Sequence, residues 1–111
     1  MKTEIQTYEC EIDELLQRYI LNSIQTALLS LSKNIKIVLV KLHSAIAPDG
    51  EPSKVCAIEI QVDKTYSITA QGATEYWLSA IDQAIQAAAR ATRRQIGQQK
   101  VNTSSISAIA S

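Results

Sequence analysis

Arg90, Arg93 and Arg94 stand at i, i+3 and i+4, a spacing that puts three guanidiniums on one face of a helix. A planar guanidinium can bond two phosphate oxygens at once, so such a face can hold the backbone of a nucleic acid. The competing role is structural, because cations near a helix C-terminus complement its dipole. Asp82 is the nearest acid in the same helical stretch, and it lies too far back to pair with them at i±3 or i±4. Tyr76 and Trp77 precede the arginines, and aromatic rings can stack on unpaired bases. Trp77 falls on an apolar stripe with Ile81 and Ile85, and in a chain without Phe it is expected to be buried in the core. Tyr76 sits one residue off that stripe and is the candidate for a partner contact.

The remaining reactive residue types do not assemble into a catalytic pattern. Cys10, Cys56 and the single His43 are too few and too scattered for a tetrahedral metal site. A disulfide is not expected, because no basic start leads into an apolar signal region. Cys56 reads as a small core residue and His43 as a solvated residue at a strand end. Asp49-Gly50-Glu51 brings two carboxylates together, but on a proline-flanked turn that is expected to be solvated. Three glycines in all exclude a dinucleotide fingerprint. The sequence therefore predicts no enzyme and no cofactor.

With 111 residues, 46% hydrophobic and 20% charged, the chain suits one globular domain. A domain of this size buries roughly 65% of its unfolded surface and needs no metal or disulfide to fold. Ile35 to Leu42, broken by Lys36 and Lys41, is too short and too charged to span a membrane. Eleven Lys and Arg balance eleven Asp and Glu, so net charge announces no nucleic-acid partner. The balance hides an asymmetry. Lys2 and Arg18 face Glu4, Glu9, Glu11, Asp13 and Glu14 at the front, whereas Lys64, Arg90, Arg93, Arg94 and Lys100 face only Glu75 and Asp82 at the back.

Periodicity supplies the elements that must position these groups. Thr3 to Tyr8 reads as a strand, and Asp13 caps a helix whose apolar stripe runs from Leu15 through Ile20 and Ile24 to Leu31. Ile35 to Leu42 is apolar on both faces, as a central strand would be. Pro48 to Pro52 marks a turn inside a loop of about ten residues. Cys56, Ile58, Ile60 and Val62, then Tyr66, Ile68 and Ala70, alternate as a hairpin with one buried face. Gly72 is expected to break the last strand. An alanine-rich helix should then run from Thr74 to Gln95 and stop at Gly97. Residues 1–99 would form one domain and 100–111 a flexible tail. The expected architecture is α+β in the order β-α-β-β-β-α, with both helices on one face of a four-stranded sheet.

This order, with Ile68-Thr69-Ala70-Gln71-Gly72 leading to Ala80-Ile81-Asp82 and then to Arg90, Arg93 and Arg94, resembles the ribosome hibernation-promoting factor and ribosome-associated translation inhibitor family. Cys56-Ala57-Ile58-Glu59 is similar to a Cys-x-x-Glu of its short, stand-alone branch. The resemblance implies a fold similar to double-stranded-RNA-binding domains. It also implies a cytoplasmic stress-response factor, non-enzymatic, that binds the small ribosomal subunit and its RNA and inhibits translation by occupancy. Arg90, Arg93 and Arg94 would carry the RNA attraction, with Arg18, Lys33, Lys64 and Tyr76 as further contacts. The chain departs from the family pattern in its first helix, where Arg18 is the lone basic residue and Asp13 and Glu14 oppose it. A second expectation follows from the zero net charge, the acidic first helix and the doubly apolar central strand. On it, the same fold serves as a protein-binding or homodimerising module without ribosome affinity.

Overall fold

A computed structural model of the chain describes the backbone of residues 1–62 and 67–110, and the side chains of residues 1–62 and 67–97. Strand β1 (Lys2–Tyr8) leads into helix α1 (Glu14–Leu28), which tightens into a 3₁₀ turn (Leu29–Asn34). Strands β2 (Ile37–Ile46), β3 (Pro52–Gln61) and β4 (Ser67–Thr74) follow, and then helix α2 (Trp77–Ala110). The sheet order is β1-β2-β3-β4, with β1 parallel to β2 and the other two pairs antiparallel. A parallel pair needs a crossover, and α1 supplies it. The architecture is the expected α+β fold, with a four-stranded mixed sheet and two helices.

The pleat sorts the side chains. Val38, Val40 and Leu42 of β2 lie opposite Ile60, Ile58 and Cys56 of β3, and all six are buried. The helices cover this face with Ile20, Ile24 and Leu28 from α1 and Ala80, Ile81, Ala84, Ile85 and Ala88 from α2. Asp13 caps α1 as expected, its Oδ1 accepting from Leu16 N at 2.7 Å. The alanines let α2 sit low on the sheet, and Gly72 lets it sit lower. A Cβ at Gly72 would lie 2.8 Å from both Ala84 N and Gln83 Cβ, and closer still to the Ala80 carbonyl oxygen. Gly72 does not break β4, which continues to Thr74 and pairs Gly72 with Cys56. It is a packing glycine inside a strand.

Other expectations also need correction. The β2–β3 loop spans only residues 47–51, because pairing continues out to Ile46 and Pro52. Ala47 N donates to Glu51 O at 2.9 Å and Gly50 N to Ala47 O at 2.8 Å, with Gly50 at φ +87° making the reversal. His43 is therefore mid-strand, opposite Val55, and not at a strand end. Helix α2 does not stop at Gly97 but runs to Ala110. A Cβ at Gly97 would meet nothing within 4 Å, so this glycine meets no steric demand from its surroundings. The tail expected over 100–111 falls on side chains outside the described set, as do Lys64 and Tyr66. Trp77 is half-buried and not enclosed: it opens α2 at the rim of the core, and the Lys54 ammonium lies 5.4 Å from its ring centroid.

Three substitutions test this packing by urea denaturation. Gly72→Ala should destabilise by about 1–3 kcal/mol, the usual cost of forcing atoms into a filled site. Gly97→Ala should instead stabilise by about 0.5–1 kcal/mol, as a helix-interior glycine replaced in open space. Trp77→Ala should cost about 2 kcal/mol, below the loss typical of a fully enclosed ring.

Candidate nucleic-acid interface

Helices α1 and α2 lie side by side and run the same way. Near their starts, the Tyr19 hydroxyl donates to Asp82 Oδ1 at 2.6 Å. Towards the far end of α1, the Arg93 guanidinium reaches the Ala27 carbonyl oxygen at 3.5 Å. The helical layer thus has one pole where both helices begin and a second where α1 ends and α2 continues, the C-terminal pole of α1. Arg90, Arg93 and Arg94 are exposed at the C-terminal pole, and Lys33 is exposed in the turn that follows α1. None of the four forms an ion pair among the described residues.

Burial on the opposite side of α2 fixes which way the arginines face. Ala88, Ala89, Thr92 and Ile96 are buried, and the Thr92 hydroxyl donates to Ala88 O at 2.7 Å. With that side held down, residues 90, 93 and 94 are left to solvent. Arg93 also reaches the Ala27 carbonyl oxygen in the last turn of α1, a small structural duty. Arg90 and Arg94 have no protein acceptor among the described residues.

The other sequence-predicted contacts lie elsewhere. Arg18 is exposed on α1 and bonds Glu14 at 3.0 Å, which neutralises it locally. It precedes Ala27 by nine residues, or about 14 Å of helix. Tyr76 is 69% exposed, but it flanks the start of α2, about 20 Å of helix from Arg90. Its backbone is held there by Thr74, whose Oγ1 accepts from Tyr76 N at 3.2 Å. The structure therefore gathers Arg90, Arg93 and Arg94 at one pole beyond which Lys33 follows, and leaves Arg18 and Tyr76 apart from them.

Between the helices runs a groove of about 450 Å³ that the sequence did not announce. Tyr19, Asn22, Thr26, Asp82 and Gln86 give it polar walls. Tyr19 carries an apolar signal in the α1 stripe, and its partner Asp82 is 63 residues away, so no local pattern could have joined them. The thiols are quiet by comparison. Burial pushes Cys56 up to about 12, which keeps it protonated at neutral pH. Cys10 donates to Leu42 O at 3.4 Å. No cluster of three or more metal-ligating side chains occurs among the described residues.

No protein-family model matches the chain, and no curated protein matches it. Solved structures do. A ribosomal subunit interface protein from Coxiella burnetii superposes with a TM-score of 0.75 at 10% identity, over 87% of this chain and 99% of that one. The N-terminal domain of Thermus thermophilus Protein Y superposes with a TM-score of 0.62 at 13% identity, over 85% and 98%. At such identities the likeness establishes the fold, and it is the fold that the sequence resemblance implied.

The Tyr19–Asp82 contact has a pH signature. The hydrogen bond to Asp82 is the main cause that holds the Tyr19 phenol above its ordinary value of 10, with burial and the Asp82 charge adding to it. Because the folded value is raised, the stability from this pair is complete below pH 10 and is lost as pH rises through the folded value. Asp82→Asn should lower the Tyr19 phenolate midpoint in near-ultraviolet titration. An identical titration curve in that variant would show that Asp82 does not control the phenol.

Proposed function

We propose that this chain is a non-enzymatic, ribosome-associated factor of the cytoplasm that binds the small subunit through ribosomal RNA and inhibits translation by occupancy. The observation that carries the reading is the free arginine face: Arg90, Arg93 and Arg94 are exposed together, without carboxylate partners among the described residues. Structural likeness to a protein described as a ribosomal subunit interface protein supports the choice of target. Guanidiniums held on a rigid helix can meet phosphate oxygens bidentately without first leaving an internal ion pair. Lys33 adds a fourth cation from the turn after α1, whereas Arg18 contributes little while Glu14 holds it. The rest of the domain acts as bulk that obstructs whatever path the bound site belongs to.

This mode of binding is electrostatic and releases counterions, so affinity should fall as salt rises. The chain should co-sediment with purified small subunits at low salt and leave them at high salt. Each single change of Arg90, Arg93 or Arg94 to Gln should flatten the salt dependence by about one unit, and changing the three together to Gln should abolish co-sedimentation. The same variant should melt within about 0.5 kcal/mol of the parent, since these are surface positions. A lowered melting midpoint with unchanged ribosome binding would assign the arginines to helix stability alone. A chain that stays at the top of a low-salt gradient while a known ribosome-binding control pellets would end the proposal.

A further inference from the structure

The pole opposite the arginines carries a different surface. A groove of about 450 Å³ opens where α1 and α2 begin, walled by Ile12, Leu16, Tyr19 and Trp77 and edged by Leu15 and Leu78. Leu15 is 75% and Leu78 53% exposed, so neither contributes much to folding, and both stand beside a concave apolar floor. Isolated exposed leucines are ordinary on a protein surface; two that edge one groove form a patch.

The rim is acidic. Glu11 and Asp13 line the groove, and Glu14 and Glu75 adjoin the helix starts. Arg18, bonded to Glu14, and Lys54, over the Trp77 ring, are the cations nearby. The two helix N-termini add about half a unit of positive charge each, which still leaves about one unit of negative charge around the groove. Phosphate groups would be repelled from such a rim. A polypeptide with apolar anchors between lysines or arginines would be drawn to it, the anchors replacing water on Trp77 and Leu16 while the cations meet Glu11 and Asp13. A second copy docking groove to groove would set Glu11 and Asp13 against their own like charges.

We infer that this groove docks a basic, amphipathic segment of another protein. The inference stands on the N-terminal pole alone and is independent of the ribosome reading. Trp77 is the single tryptophan and lies in the groove wall, so its emission reports occupancy directly.

The test titrates the full chain with a tryptophan-free helical peptide of leucine and lysine. Controls of equal length replace lysine by glutamate in one and leucine by alanine in the other. The leucine–lysine peptide should shift Trp77 emission and bind at least about tenfold more tightly than either control. Leu15→Ser with Leu78→Ser should weaken it about tenfold without moving the thermal midpoint, because both side chains are exposed. Glu11→Gln should weaken it most at low salt. Equal binding of the glutamate peptide, equal binding of the alanine peptide, or unchanged binding by the double-serine variant would each overturn the assignment. So would polyuridylate that shifts Trp77 emission in the parent but not in that variant. Concentration-dependent dimers in sedimentation velocity that vanish in the double-serine variant would give the groove to a second copy instead.

Discussion

The approach of α2 to the sheet is limited by atoms, and Gly72 is where the limit is reached. Any side chain there would strike backbone at Ala80 and Ala84. The contact fixes both the height of α2 and its rotation, because Ala80, Ala84, Ala88, Thr92 and Ile96 follow one another at four-residue steps down the buried side. Once that row faces the sheet, Arg90, Arg93 and Arg94 have no choice but to face water. The arginine face is thus a consequence of a packing constraint eighteen or more residues away in sequence. A larger residue at position 72 would have to lift the helix, and with it the groove between α1 and α2.

The parallel pairing of β1 with β2 has an electrical consequence. It requires a crossover helix, and the antiparallel run of β2, β3 and β4 then returns the chain so that α2 lies beside α1 in the same direction. Two aligned dipoles put their positive ends together at one pole; the negative end of α1 lies beside the middle of α2, which runs on to Ala110. Carboxylates beside the first pole suit both dipoles, whereas the guanidiniums, midway along α2, can suit only that of α1, as the Arg93 contact with Ala27 O does. Complementing the dipole of α1 would be satisfied by one cation. Three arginines on one exposed face exceed it.

Much of this was legible in the sequence, and the failures share a cause. Cys56, Ile58 and Ile60 alternate and are buried; Asp13 caps α1; Ile81, Ala84, Ile85 and Ala88 keep a helical stripe and pack down. Those are local regularities. Gly72 and Gly97 look alike in sequence, yet one is pressed against a helix and the other has open space around it. The outer half of the β2–β3 hairpin was hidden because His43-Ser44-Ala45-Ile46 lacks a clean alternation and is held by its partner strand. Trp77 shares the core stripe but stands at its first turn, where the sheet beneath gives out. The Tyr19–Asp82 bond joins residues 63 apart, and only the fold brings them together.

Zero net charge is a poor guide to this molecule for a reason of length. Helix α1 has 15 residues and spans about 22 Å, while the Debye length at physiological salt is about 8 Å. A phosphate approaching the arginine pole is therefore screened from the carboxylates at the other end, and the reverse holds for a cation approaching Glu11 and Asp13. Each pole presents its own field to whatever arrives. At much lower ionic strength the Debye length grows to about 30 Å, beyond the length of α1, and the two poles begin to oppose each other's ligands. The balanced composition then limits long-range attraction of either sign, and what distinguishes the two ends at short range is contact geometry: guanidinium forks at one, an apolar groove at the other.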